Sequence, residues 1–120
     1  MRALVVDDSS AMRAILRMAL KKQDFEVMEA KHGLDALSVL AAAPPFDLIL
    51  IDWNMPEMDG FELLRRIRTE AVYNATQIMM VTTETGIDQM SEALAAGAND
   101  YIMKPFTFDV IADKLRLLGL

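Results

Sequence analysis

Residues 48–60 read Leu48-Ile49-Leu50-Ile51-Asp52-Trp53-Asn54-Met55-Pro56-Glu57-Met58-Asp59-Gly60. The first four are apolar without alternation, and the run stops at an acid. A strand with one face in water alternates. A strand that is apolar at every position is covered on both faces, as in a parallel sheet flanked by helices. Three further runs follow the same rule. Ala3–Val6 stops at Asp7 and Asp8, Ile78–Val81 at Thr82 and Thr83, and Tyr101–Met103 at Lys104-Pro105. Phe25–Ala30 contains Glu26 and Glu29 and reads as an edge strand.

Between these runs the apolar period becomes helical. Met12, Ile15, Leu16, Ala19 and Leu20 form one stripe, with Ser9 or Ser10 as N-cap. Ala36, Leu37, Leu40 and Ala41 form a second, stopped by Pro44-Pro45. Phe61, Leu64 and Ile67 form a third, with Arg65, Arg66 and Arg68 expected on a solvated face. Ile87, Met90, Ala93 and Leu94 form a fourth, ending near Gly97, and Phe108, Ile111, Ala112, Leu115 and Leu118 a fifth. Five alternating strand–helix units imply a parallel α/β sheet with right-handed crossovers and helices on both faces. They are too few for an eight-fold barrel. A doubly wound open sheet is the expected fold, over one domain spanning residues 1–120, with its ligand site at the carboxyl ends of the strands.

Composition narrows the chemistry. The 120 residues are 53% apolar and 25% charged, enough apolar surface to argue against disorder. There is no Cys, which excludes disulfide scaffolds, thiolate metal sites and thiol nucleophiles. A single His, His32, excludes sites needing two imidazoles and is expected to be a solvated loop residue. The net charge of −6 disfavours direct nucleic-acid binding. No apolar run approaches membrane-spanning length, so the expectation is a cytoplasmic domain with no membrane partner. Most of the ten Met are expected to fill the core.

Polar side chains gather at the strand ends: Asp7 and Asp8, Asp52, Thr82, and Lys104. A parallel sheet brings these ends to one edge. Two unit charges about 4 Å apart repel by roughly 4 kcal/mol at an effective dielectric near 20, so clustered carboxylates need a counter-charge. A hard divalent cation such as Mg²⁺ fits, because three acids and one Lys sum to −2. With a Lys and a hydroxyl nearby, the set suits a phosphoryl group, and Asp52 is the candidate nucleophile for an aspartyl-phosphate. Each acid taken alone reads as no more than the N-cap of the next helix; the joint pattern carries the inference. The first strand is followed by no G-x-G-x-x-G or P-loop, which weakens a nucleotide-binding reading.

The motifs Leu-Val-Val-Asp7-Asp8-Ser, Asp52-Trp-Asn54-Met-Pro56-Glu-Met-Asp59-Gly60, Met-Val-Thr82-Thr83-Glu84 and Lys104-Pro105-Phe106 resemble, end to end, a response-regulator receiver domain of two-component signalling. Asp52-Trp-Asn54-Met-Pro and the opening Asp-Asp-Ser-Ser-x-Met-Arg are similar to the chemotaxis (CheY-like) subgroup. The resemblance implies a five-stranded sheet of order 2-1-3-4-5 with five helices. It implies that Asp52 accepts phosphoryl from a partner histidine kinase or phosphotransfer protein. Asp8, Asp52 and the Asn54 backbone carbonyl would ligate Mg²⁺, with Asp7 acting through water. Lys104, Thr82 and Thr83 would handle the phosphoryl group and Tyr101 would turn behind Thr82. Asn54 and Glu84 would tune dephosphorylation, and the Lys104–Pro105 peptide would be cis. An output protein or fused output domain would read a face around Ile87, Met90, Tyr101, Met103 and Thr107. Such a domain is a signalling switch, not an enzyme in the usual sense, although it assists its own phosphotransfer and dephosphorylation. Two other readings compete. A small-molecule phosphatase or phosphotransferase would favour an acid where Asn54 stands, and would need a cap segment. A constitutive interaction module would not need the full acid–Thr–Lys set.

Overall fold

The computed structural model describes residues 1–43, 45–83 and 87–120, with the side chain of Ile87 excepted. Pro44 and Glu84 therefore lie outside the described residues, as does the side chain of Ile87. The elements alternate in chain order: β1 (Arg2–Val6), α1 (Ser10–Lys21), β2 (Glu26–Ala30), α2 (Gly33–Ala42), β3 (Leu48–Asp52), α3 (Gly60–Arg68), a 3-10 turn (Ala71–Tyr73), β4 (Gln77–Thr82), α4 (Ile87–Ala95), β5 (Asp100–Met103) and α5 (Phe108–Leu117). All strand pairs are parallel and the sheet order is β2-β1-β3-β4-β5.

The continuous apolar strands are where the sheet is thickest. Every residue of β3 is buried. Ile49 and Ile51 face a cluster shared with Ala36 and Leu40 of α2, Leu64 and Ile67 of α3, and Ala93 of α4. Leu48 and Leu50 face the opposite cluster, with Leu16 and Leu20 of α1 and Ile111 and Leu115 of α5. Each fully buried Leu or Ile is worth about 1.5–3 kcal/mol, so this strand anchors both layers. β2 sits at an edge and keeps its acids. Glu29 pairs with Arg13 and Arg17 of α1 at 3.1 and 2.8 Å.

Helix starts follow local capping chemistry. The side chains of Ser9, Asp59 and Thr107 accept from the backbone N–H groups of Met12, Glu62 and Val110. His32 does the same for α2: its Nδ1 accepts from the Asp35 N–H at 3.1 Å. It is exposed, as expected, but it is a cap and not a loop bystander.

Two expectations need correction. The methionines divide: Met55, Met58, Met79 and Met80 are buried, whereas Met18, Met28 and Met103 are exposed. Arg68 does not belong to a solvated face. It is half-buried, and its guanidinium donates to the carbonyls of Gly97, Tyr73 and Thr76 and to Asn99 Oδ1, at 2.7–3.0 Å. Asn99 Oδ1 also accepts from the Ile78 N–H. The 3-10 turn, absent from the sequence reading, supplies one of those carbonyls. Gly97 has φ +113°, and a Cβ there would lie 2.7 Å from Arg68 Cγ, so the turn both needs glycine and makes room for the guanidinium. One cation thus gathers the end of α3, the start of β4 and the α4–β5 turn.

Arg68→Ala should lower stability by about 3 kcal/mol, the scale expected for losing several charge-assisted bonds to carbonyls. Arg68→Lys should recover little of it, because one ammonium cannot span the separate acceptors that a planar fork reaches. Urea denaturation of the two variants measures both.

Candidate functional site

Parallel strands end together, and the polar residues that close them converge. β1 runs into Asp7 and Asp8, β3 ends on Asp52, β4 ends on Thr82, and Lys104 follows β5. One carboxylate oxygen each from Asp7, Asp8 and Asp52 lies within 4.8 Å of the others. Asp7 and Asp52 are buried and Asp8 is exposed. Lys104 Nζ is 3.1 Å from Asp52 Oδ1 and 3.7 Å from Asp7 Oδ2. The Lys104–Pro105 peptide is cis.

Local bonds hold the carboxylates in place. The Ser9 N–H donates to Asp7 Oδ1 at 2.8 Å, and Arg13 donates to the Asp7 carbonyl at 2.7 Å. The loop after Asp52 is closed at both ends. The Trp53 N–H reaches the Val81 carbonyl and the Gly60 N–H reaches the Trp53 carbonyl. A Cβ on Gly60 would lie 2.2 Å from the Asp52 carbonyl oxygen, which explains glycine at that position. Met58, further along the loop, packs on Gly33 at the start of α2. Trp53 stacks on Phe61 with ring centroids 5.5 Å apart and planes 8° apart, and the Arg65 guanidinium lies 6.0 Å from the Phe61 ring centroid.

The electrostatics follow from this crowding. Burial pushes the Asp7 carboxyl up from its ordinary value, against the pull of the Ser9 N–H and Lys104. Burial pushes Asp52 up as well, the Asp7 charge adds to it, and Lys104 opposes it. Asp7 Oδ2 is buried and accepts no hydrogen bond. Lys104, 3.7 Å away and shared with Asp52, lies beyond hydrogen-bond distance of that oxygen, which leaves it open to a closer partner, and an all-oxygen set suits a hard divalent cation. The residues present therefore fit a metal.

The remaining candidates sit around this centre. Thr82 is buried, Thr83 and Asn54 are exposed, and Tyr101 is half-buried. Tyr101 pairs across the sheet with Met80, two residues before Thr82, so Thr82 and Tyr101 share a sheet face. The Lys114 ammonium lies 4.9 Å from the Tyr101 ring centroid. Glu84 lies outside the described residues. The sequence reading did not foresee Ser9 and Arg13 as supports of Asp7, nor Phe61 as the stacking partner of Trp53. The Ser that follows Asp-Asp was visible as a cap; the other two contacts cross between elements.

The family model described as "Response regulator receiver domain" matches residues 3–116. The chain belongs to the response regulator receiver domain family. Its curated relatives include the chemotaxis protein CheY1 of Helicobacter pylori, 43% identical over 119 residues, covering 98% of this chain and 96% of that protein. A chemotaxis protein CheY homolog of Campylobacter jejuni is 46% identical over 117 residues, covering 97% and 90%. The solved structure of chemotaxis response regulator CheY4 of Vibrio cholerae superposes with a TM-score of 0.90 at 36% identity, covering 98% of this chain and 97% of that one. These similarities and the observed strand order place the chain among CheY-like receiver domains. No helix among the described residues is long and apolar enough to cross a membrane.

An acid whose pKa is raised in the folded state binds its proton more tightly folded than unfolded. The metal-free receiver domain therefore loses stability as pH climbs from the ordinary carboxylate value of 3.8 through the raised values of Asp7 and Asp52. With divalent cations chelated, Asp52→Asn should be more stable than the parent at pH 7, and the difference should close as pH falls below about 4. Thermal denaturation across pH checks this.

Proposed function

We propose that this chain is a phosphorylation-driven signalling switch of the chemotaxis type, acting in the cytoplasm. The carrying observation is the Lys104 ammonium 3.1 Å from Asp52 within a cluster of three carboxylates. Asp52 is the nucleophile. Its carboxylate oxygen bonds to the phosphorus of a phosphohistidine on a partner kinase or phosphotransfer protein. The P–N bond breaks, and the imidazole leaves with the electron pair and takes up a proton. Asp8, Asp52 and the Asn54 backbone carbonyl would hold Mg²⁺, with Asp7 acting through water. When bound, that ion offsets the charge of the carboxylates and of the phosphoryl oxygens.

Lys104 already neutralises Asp52 and moves to a phosphoryl oxygen once the acyl phosphate forms. Thr82 ends the neighbouring strand, where its hydroxyl donates to a second oxygen, with Thr83 beside it. That draws the end of β4 inward. Tyr101, diagonal to Thr82 on the same face, turns into the vacated space. The surface of α4, β5 and α5 changes shape, and an output protein or fused output domain reads it around Met90, Tyr101, Met103 and Thr107. The output residue expected at Ile87 has a side chain outside the described residues. Asn54 and Glu84 flank the phosphoryl group and set how water reaches it.

Acetyl phosphate with Mg²⁺ should add one hydroxylamine-labile phosphate to the chain by intact mass, and none to Asp52→Asn. Equal incorporation in the variant removes Asp52 from the role. Asp8→Ala should weaken Mg²⁺ binding more than Asp7→Ala, read by fluorescence of Trp53, the one Trp in the chain. Substitution of Asn54 should change the lifetime of the acyl phosphate without preventing its formation.

The switch itself has a separate readout. A beryllofluoride phosphate mimic should shift amide resonances as far as Tyr101 and α4, and should tighten output binding by about 5- to 150-fold, the usual range of allosteric coupling. In Thr82→Ala the shifts should stay in the loops around Asp52. Shifts that never leave those loops in the parent chain would break the proposed coupling.

A further inference from the structure

The layer formed by α2, α3 and α4 is open between α2 and α3. A groove runs there in two compartments, of about 390 and 590 Å³, that meet at Arg66. Its lining is largely apolar. Leu34 and Leu37 stand one turn apart on α2, Met58 comes from the loop after Asp52, and Val72 and Tyr73 come from the 3-10 turn. Leu34 is 54% exposed and Val72 is 60% exposed. A single exposed apolar side chain needs no explanation. Leu34 lines one compartment and Val72 the other, so each compartment offers one large exposed apolar side chain.

The rim is acidic. Glu57 and Glu62 border the first compartment and Glu70 the second. Arg66 is the one Lys or Arg in the lining, and it lies 3.5 Å from Glu62. No ion pair among the described residues engages Glu57 or Glu70.

We propose that this groove docks an amphipathic helix of a partner protein, apolar on one face and carrying Lys or Arg along its flanks. A furrow between two helices on one face of a sheet takes a third helix by its apolar side. α2 has 10 residues, about 15 Å of helix, so three turns of a partner match its length. Unpaired Glu57 and Glu70 select basic flanks. A second copy of this chain is the poorer occupant, because a two-fold contact through this face sets the acidic rim against itself.

The groove reaches the carboxylate cluster through one loop. Pro56, Glu57 and Met58 line it, and Asn54 lies two residues before Pro56. Met58 is seated so tightly on α2 that a Cβ on Gly33 would lie 2.6 Å from its sulfur. A helix resting on Pro56 and Glu57, beside buried Met58, therefore bears on the loop that follows Asp52. This coupling rests on Asp52 being the phosphoacceptor; the docking does not.

The probe is a stapled helical peptide of about twelve residues, with Leu along one face and Lys on both flanks, and a twin with Glu in place of Lys. Each is titrated into the ¹⁵N-labelled chain without phosphate mimic. The Lys peptide should shift the amides of Leu34, Leu37, Met58 and Val72. The Glu twin should bind at least about tenfold more weakly, and so should the Lys peptide to a Leu34→Glu, Val72→Glu double variant. Leu34→Gln with Val72→Thr is the milder pair if the double variant is unstable. Three outcomes overturn the docking: shifts confined to other faces, equal affinity for the two peptides, or a concentration-dependent dimer that Leu34→Glu dissolves.

The titration is then repeated with Mg²⁺ and beryllofluoride, whose binding is followed separately by Trp53 fluorescence and by its loss in Asp52→Asn. The peptide affinity should change by about fivefold. An unchanged affinity with the mimic bound removes the coupling and leaves the docking. Failure of the mimic to bind counts against Asp52 as acceptor, and the first titration stands apart from it.

Discussion

Three carboxylates within 4.8 Å of one another are the constraint around which this domain is organised. At that separation, one charged pair repels by roughly 3 kcal/mol at an effective dielectric near 20. Burial of Asp7 and Asp52 raises the cost further. The fold meets it with a cation from its far edge: Lys104 follows β5, and its ammonium reaches both buried acids. What remains is a net negative, oxygen-lined centre with one carboxylate oxygen that accepts no hydrogen bond. Such a centre has the oxygen donors that a hard cation takes.

Charge in that geometry is held by a frame that is packed and hydrogen-bonded well beyond the charged edge. β3 is buried on both faces and binds the two core clusters into one structure. At the opposite end of the sheet, Arg68 collects carbonyls from two turns and the side chain of Asn99, which itself holds the Ile78 N–H at the start of β4. β4 is thus fixed at its first residues and ends on Thr82 beside the acids.

The loop that follows Asp52 also shapes two surfaces. On one side, Trp53 stacks on Phe61, which Arg65 flanks. On the other, Met58 reaches α2 and closes one end of an apolar groove. The loop has only a short path between Asp52 and the cap at Asp59, with Gly60 pressed against the Asp52 carbonyl. Both surfaces are therefore built on the short backbone segment that follows Asp52.

The uninterrupted apolar runs and the acids and Lys that end them were enough to indicate the class of fold and that Asp7, Asp8, Asp52 and Lys104 converge at one edge. A parallel sheet covered on both faces demands the first and exposes the second along one edge. Even so, every strand moved by one residue at one end, and β4 at both: β2 began after Phe25 and β3 took in Asp52. Periodicity marks which residues are covered, not where the last ladder bond falls. What the chain could not disclose were contacts between side chains and backbone groups far apart in sequence. Arg68 read as one more arginine on a charged face, yet its acceptors lie on the 3-10 turn, at the entry to β4 and on the α4–β5 turn. His32 read as a loop residue because a cap is defined by backbone direction. Which acid is buried, which is exposed, and that Lys104 lies between Asp7 and Asp52 were decided only by tertiary structure. Burial and charge proximity are properties of distance in space, and the order of residues along a chain does not contain them.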